Sequence, residues 1–163
     1  MRKLGITTVV LVALAATAIL AAGAFAGTQK KVAFVAKYAG NATTTVSDNV
    51  VSISAKGVGT GTPIGKGAIT GTGTGDSSQQ PCVPFGGTGK LTGAAGTTLT
   101  FKVPNNASSC GDEGGHTFAI VGHATVVKGT GKLAKAKGTL KFTGTYSHDD
   151  GSFTVKFSGS LTQ

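Results

Sequence analysis

The chain has 163 residues, 27 of them Gly, with two Cys, no Trp and a formal net charge of +9. Its one Arg is Arg2, and its aromatic residues are not interleaved with its lysines. This excludes the Arg-rich, base-stacking surface of a specific nucleic-acid reader.

Residues 1–26 read as a secretory signal peptide. Arg2 and Lys3 form a positive start, Gly5 to Gly23 is apolar, and Ala24-Phe25-Ala26 is a small-x-small cleavage site. An uncleaved N-terminal anchor is the alternative, because the apolar run approaches the ~20 residues of a membrane helix. Residues 27–163 are then the mature chain, an exported protein of one domain with a single modest core. Fifteen basic residues less Arg2 and Lys3 leave thirteen lysines, which against six acidic residues give +7. Lys37, Lys56, Lys102, Lys141 and Lys156 occupy the polar phase of alternating segments, as on a solvated surface. Such a surface is attracted non-specifically to acidic cell-wall polymers.

Period-2 alternation runs through the mature chain and predicts an all-β fold. Val32, Phe34, Ala36 and Tyr38 share one phase, as do Leu99, Phe101 and Val103. Phe118, Ile120, Gly122, Ala124 and Val126 share another, as do Leu140, Phe142, Gly144 and Tyr146, and Phe153, Val155, Phe157, Gly159 and Leu161. Turn chemistry at Asp48-Asn49, Thr62-Pro63, Gly93 to Gly96 and Asp150-Gly151 separates the runs. Strands are predicted near 30–40, 49–58, 64–74, 83–91, 97–103, 117–128, 138–147 and 152–162. The Gly-rich segment 64–75 is read as a strand and not a linker, because Gly alternates with Ala, Ile and Thr. Eight short antiparallel strands suit a closed barrel or a sandwich. Gly122, Gly144 and Gly159 on otherwise bulky phases favour the eight-stranded antiparallel β-barrel, whose strands must bend.

Cys82 and Cys110 predict a disulfide in an exported chain. Their midpoint is residue 96, in a turn, so they can face each other across the open end of a hairpin. The bridge would staple two loops, 80–84 and 105–115. A phrase written twice supports the hairpin. Residues 88–101 read TGKLTGAAGTTLTF and residues 130–142 read TGKLAKAKGTLKF, each a strand end, a Gly/Ala turn and a new strand.

The stretch Val126-Val127-Lys128-Gly129-Thr130-Gly131-Lys132-Leu133-Ala134-Lys135-Ala136-Lys137-Gly138 resembles a motif of plant dirigent proteins, roughly V-V-G-G-T-G-x-F-x-x-A-x-G. Allene oxide cyclases share a similar Gly-rich turn. The resemblance implies an eight-stranded antiparallel barrel with a central cavity, often trimeric. It carries over no catalytic residue.

Other candidate chemistry is sparse. Asp112-Glu113 with His116, and His148-Asp149-Asp150, are loosely ligand-like, but each sits among turn residues and reads as a solvated loop, so no metal or cofactor is expected. The Gly-Lys pairs at Gly89-Lys90 and Gly131-Lys132 lack the upstream glycine of a phosphate loop. Asn41-Ala42-Thr43 and Asn106-Ala107-Ser108 fit the glycosylation acceptor pattern. Repeated Thr-x-Thr lacks the constant spacing of an ice-binding face and suits outward strand positions. Tyr38 and Tyr146, the two phenols, lie on inward phases and are the candidate polar anchors for a ligand in the barrel. The expected function is a secreted, non-enzymatic binding or structural module holding a small apolar ligand. The alternative is a dirigent- or cyclase-like enzyme, which requires an open pocket presenting Tyr38 or Tyr146 beside an acidic residue.

Overall fold

The structure is a computed structural model and describes residues 29–163. The predicted signal segment, 1–26, lies outside the described residues. Eight antiparallel strands close into a barrel in simple chain order. They are β1 (Lys31–Ser47), β2 (Val50–Thr62), β3 (Gly65–Asp76), β4 (Cys82–Thr92), β5 (Thr98–Gly111), β6 (Thr117–Thr130), β7 (Thr139–Ser147) and β8 (Ser152–Thr162). β8 pairs back onto β1 from Lys31↔Thr162 to Asn41↔Ser152, so the sheet has no free edge.

Every expected strand is present, and 65–76 is a strand as its alternation predicts. Three strands run four or more residues past their predicted ends: β1 to Ser47, β2 to Thr62 and β5 to Gly111. The added residues, such as Asn41–Ser47, are mostly polar and carry little hydrophobic signal. Their order comes from the neighbouring strand, since Asn41–Ser47 pairs residue by residue with Val50–Lys56. For the same reason Cys82 and Cys110 lie within β4 and β5, not in the loops the sequence suggested.

Cys82 and Cys110 are directly opposite and disulfide-bonded. Near its turn the β4–β5 hairpin pairs Thr92↔Thr98 through Gly87↔Val103, a register that would bring Ser108 opposite Cys82. A bulge corrects it: Gly86 faces Pro104–Asn106, after which Phe85 pairs with Ala107 and Cys82 with Cys110. Pro104, which cannot donate to a ladder, falls in this irregular stretch.

The barrel has two unlike ends. One holds the chain end Gln163, the β2–β3 turn and the two turns of the repeated phrase. There Phe34, Ile64, Leu91, Leu99, Leu133, Leu140 and Leu161 are all essentially inaccessible and fill the lumen. The other end, the mouth, carries residues 48–49, 77–81, 112–116 and 148–151 between strands.

The copies of the repeated phrase are both hairpins, but they are not superposable turns. In the first, Gly89-Lys90-Leu91 belongs to β4 and the 3₁₀ turn is Ala94–Gly96. In the second, Gly131–Leu133 is itself the 3₁₀ turn, and Leu133 folds inward to cap the lumen. The turns dock through threonines. Thr130 Oγ1 donates to Gly96 O at 2.8 Å and accepts from Thr98 N at 3.0 Å. Gly131 has φ +57°, and a Cβ there would lie 2.9 Å from Thr97 Cα, so position 131 needs glycine for both reasons.

Candidate ligand cavity

Inward positions on β2, β3 and β4 are largely glycine: Gly57, Gly59 and Gly61, then Gly67, Gly71, Gly73 and Gly75, then Gly87 and Gly89. A wall without side chains leaves room that bulky residues elsewhere only partly take up. Phe101 leans onto Gly89, where a Cβ would collide with the ring. Phe153 lies over Gly57, its Cζ 3.1 Å from where a Cβ would be. Over Gly71 the space stays open, the nearest atom to a Cβ being Thr88 O at 3.4 Å.

The result is a cavity of about 380 Å³ opening at the mouth. Phe101, Phe142 and Phe157 form its floor, with centroids 5.4 Å apart for Phe101–Phe157 and 5.8 Å for Phe142–Phe157. Ile53, Ala55, Ile69, Val83, Phe85, Val103 and Ile120 line the sides. Polar side chains on the lining include Thr44, Ser77, Gln80, Tyr146 and His148. Among the described residues, no carboxylate or ammonium group is on the lining. Such a chamber favours apolar occupants, because an unpaired charge brought into it loses its hydration.

The two candidate tyrosines are placed differently. Tyr146 lines the cavity, and its hydroxyl is 3.3 Å from Thr44 Oγ1. Thr44 is on the part of β1 that overhangs the end of β8, so this contact ties the overhang to β7. Tyr38 is 1% exposed and is not on the cavity wall. Its ring packs edge-on against Phe157 at 6.5 Å and lies over Gly59. The Tyr38 hydroxyl has no hydrogen-bond partner, and burial pushes its pKa above the ordinary phenol value.

The expected enzyme-like combination, a wall phenol beside a carboxylate, does not occur on this lining. All six acidic residues instead sit at the mouth outside the cavity: Asp48, Asp76, Asp112, Glu113, Asp149 and Asp150. Three of them organise the loops that hold them. Asp112 accepts from His116 N at 2.8 Å and Thr117 N at 3.1 Å, Asp76 from Ser78 N at 3.0 Å, and Asp150 from Ser152 N at 2.9 Å. The Ser78 hydroxyl, donating to Asp76 Oδ1 at 2.6 Å, and then Ser78 N hold the Asp76 carboxyl below its ordinary pKa, and Ser152 N does the same for Asp150. Among the described residues no group of three or more His, Cys, Asp and Glu could hold a metal ion.

The two His/Asp clusters read separately in the sequence meet in space. His116 Nδ1 lies 2.8 Å from Asp149 Oδ1, and His148 N donates to His116 O at 2.8 Å, joining the β5–β6 and β7–β8 loops. The Asp149 hydrogen bond, reinforced by its charge, raises the His116 pKa. A raised histidine pKa stabilises the fold fully below the unfolded-state value of about 6.5, and the effect is lost as pH rises through the folded value. Asp149→Asn is expected to lower the His116 midpoint toward the ordinary histidine value, read by NMR titration of its ring protons, with the Asp112 charge still raising it. An unchanged midpoint would mean that Asp149 is not the cause.

Sequence reasoning missed the part of the cavity wall that β1 supplies. Ala42, Thr44 and Val46 continue the inward phase of Tyr38, and Val51, Ile53 and Ala55 face them from β2. That phase was the available signal, but the predicted strand stopped at residue 40.

Set against models of protein families, curated proteins and solved structures, the chain matches none of them. The stretch Val126–Gly138, which resembles the dirigent motif, builds the closed end and contributes nothing to the cavity lining. A functional reading therefore rests on the cavity itself.

Proposed function

We propose that this protein is a secreted, non-catalytic barrel that carries a small apolar ligand in its cavity. The observation that supports this is a one-ended chamber of about 380 Å³, apolar on its floor and sides, above a plugged lumen. That volume equals about a dozen waters at ~30 Å³ each, which suits a ligand of comparable heavy-atom count. Transfer of such a ligand from water is favourable by ~25 cal/mol per Å² of apolar surface buried. The disulfide fits an oxidising compartment. A lining free of carboxylates and ammonium groups favours this reading over a dirigent- or cyclase-like reaction, which calls for a wall phenol beside an acidic residue.

Native mass spectrometry of the protein recovered from culture medium would reveal a retained ligand. The cavity itself is tested with the neutral fluorophore N-phenyl-naphthylamine and the variant Gly71→Phe. Position 71 has room for a Cβ, so the ring enters the cavity and the fold is retained. Fluorophore affinity is expected to fall by about tenfold or more, ~1.4 kcal/mol, with the melting temperature little changed. Equal affinity in the variant would remove the cavity from consideration as the binding site.

A further inference from the structure

We propose that the outward face of β7, β8 and β1 docks a linear anionic polysaccharide. This is independent of the cavity and its contents.

The face is built by register. Lys37 on β1 stands directly opposite Lys156 on β8, and Lys156 stands opposite Thr143 on β7, two residues above Lys141. Toward the closed end, Thr162 of β8 lies between Lys31 of β1, its strand partner, and Lys137, with which it exchanges two backbone hydrogen bonds of 2.9 Å. All five lysines are exposed. β1, β7 and β8 contain no acidic residue, since every acidic side chain of the described residues is at the mouth. The one ion pair among the described residues is His116–Asp149, so none of these lysines has a carboxylate partner. Like charges directly opposite on a sheet repel, and Lys37–Lys156 has no ion-pair partner among the described residues to relieve it. An external anion between the two ammonium groups does so.

The spacing selects a polymer. Lys31 and Lys37 are six residues apart on one strand, a span of ~20 Å at about 3.3 Å per residue. One small anion cannot neutralise both ends of that row, whereas a chain with repeated charges can. Hydroxyl side chains at Ser158 and Ser160 fill the β8 positions between Lys156 and the Lys31 level, Thr143 and Thr154 flank Lys156, and all four match sugar hydroxyls. The face offers no aromatic ring or Arg for nucleic-acid bases. Its one large exposed apolar residue, Val35, is too little for insertion into a membrane interface.

The test uses polygalacturonate, a linear polyuronate, with two variants of equal charge. Lys37→Gln with Lys156→Gln alters the proposed face. Lys66→Gln with Lys90→Gln removes the same charge from β3 and β4, across the barrel. Affinity is expected to fall about tenfold in the first variant and less than about twofold in the second, and to be largely lost in wild type near 0.5 M salt, where screening shortens to a few Å. The first variant should melt at or above the wild-type temperature without polymer, because a repulsive pair is gone. Polygalacturonate should raise the melting temperature of wild type by more than that of this variant. Equal losses in both variants would reduce the effect to net charge and overturn the proposal. So would equal binding to neutral dextran, tighter binding to anionic vesicles or duplex DNA, or a first variant that melts below wild type.

Discussion

Replacing Cys82 and Cys110 by serine is expected to lower the unfolding free energy by about 3–4 kcal/mol, the chain-entropy value for a closed loop of this length. The bridge spans 28 positions in sequence and ties β4 to β5 on the mouth side of the bulge at Gly86 and Pro104–Asn106. Between Lys102↔Thr125 and Ser108↔Val121 the β5–β6 pairing is also irregular, so the mouth end of β5 is loosely registered on both sides. Without the disulfide, register beyond the bulge depends on the short Phe85–Val83 ladder and on Gly111 N donating to Pro81 O at 2.9 Å. Denaturant unfolding measures the loss, and hydrogen exchange locates it. Amides of 107–111 should lose protection before those of 98–103. A loss below about 1 kcal/mol would mean that the ladder alone fixes the register and that the unfolded-state entropy account does not apply here.

Leu133→Ala is expected to cost about 2–5 kcal/mol, the range for deleting a fully buried leucine side chain. Leu133 is wholly buried although it lies in a turn, because it enters the lumen from the end and covers the leucines of the strands. Neighbouring side chains are fixed on closed strands and cannot collapse into the space, which favours the upper part of the range. A cost below about 1 kcal/mol would mean that the closed end is fluid and that the cavity floor does not depend on it. Fluorophore binding at the other end should persist in Leu133→Ala under conditions where the variant is folded, because the floor is the separate layer of Phe101, Phe142 and Phe157.

Much of this architecture was legible from alternation alone. Period-2 runs such as Phe153, Val155 and Phe157 state which face is buried without reference to any other strand, and glycines on bulky phases point to strands that bend. The disulfide was legible too, although the symmetry about residue 96 held only because a bulge adds two residues to β5. The overhang of β1 was not legible, because Asn41–Ser47 owes its order to pairing with β2 and not to its own hydrophobicity. Nor was the His116–Asp149 contact, which joins loops 33 positions apart.

For the candidate site the division is sharper. The sequence determined the inventory: two phenols, a glycine-rich set of inward positions, a lysine on every strand and carboxylates confined to turns and a strand end. Only closure of the barrel decided their use. It set the glycine wall where it makes a cavity, put Tyr146 on the wall and Tyr38 in the packed interior, gathered the carboxylates at the mouth, and brought Lys37 opposite Lys156 by joining the first strand to the last. Alternation fixes a side chain's inward or outward direction locally, but height along the axis and the neighbour across a strand pair come from register, which is a property of the whole sheet.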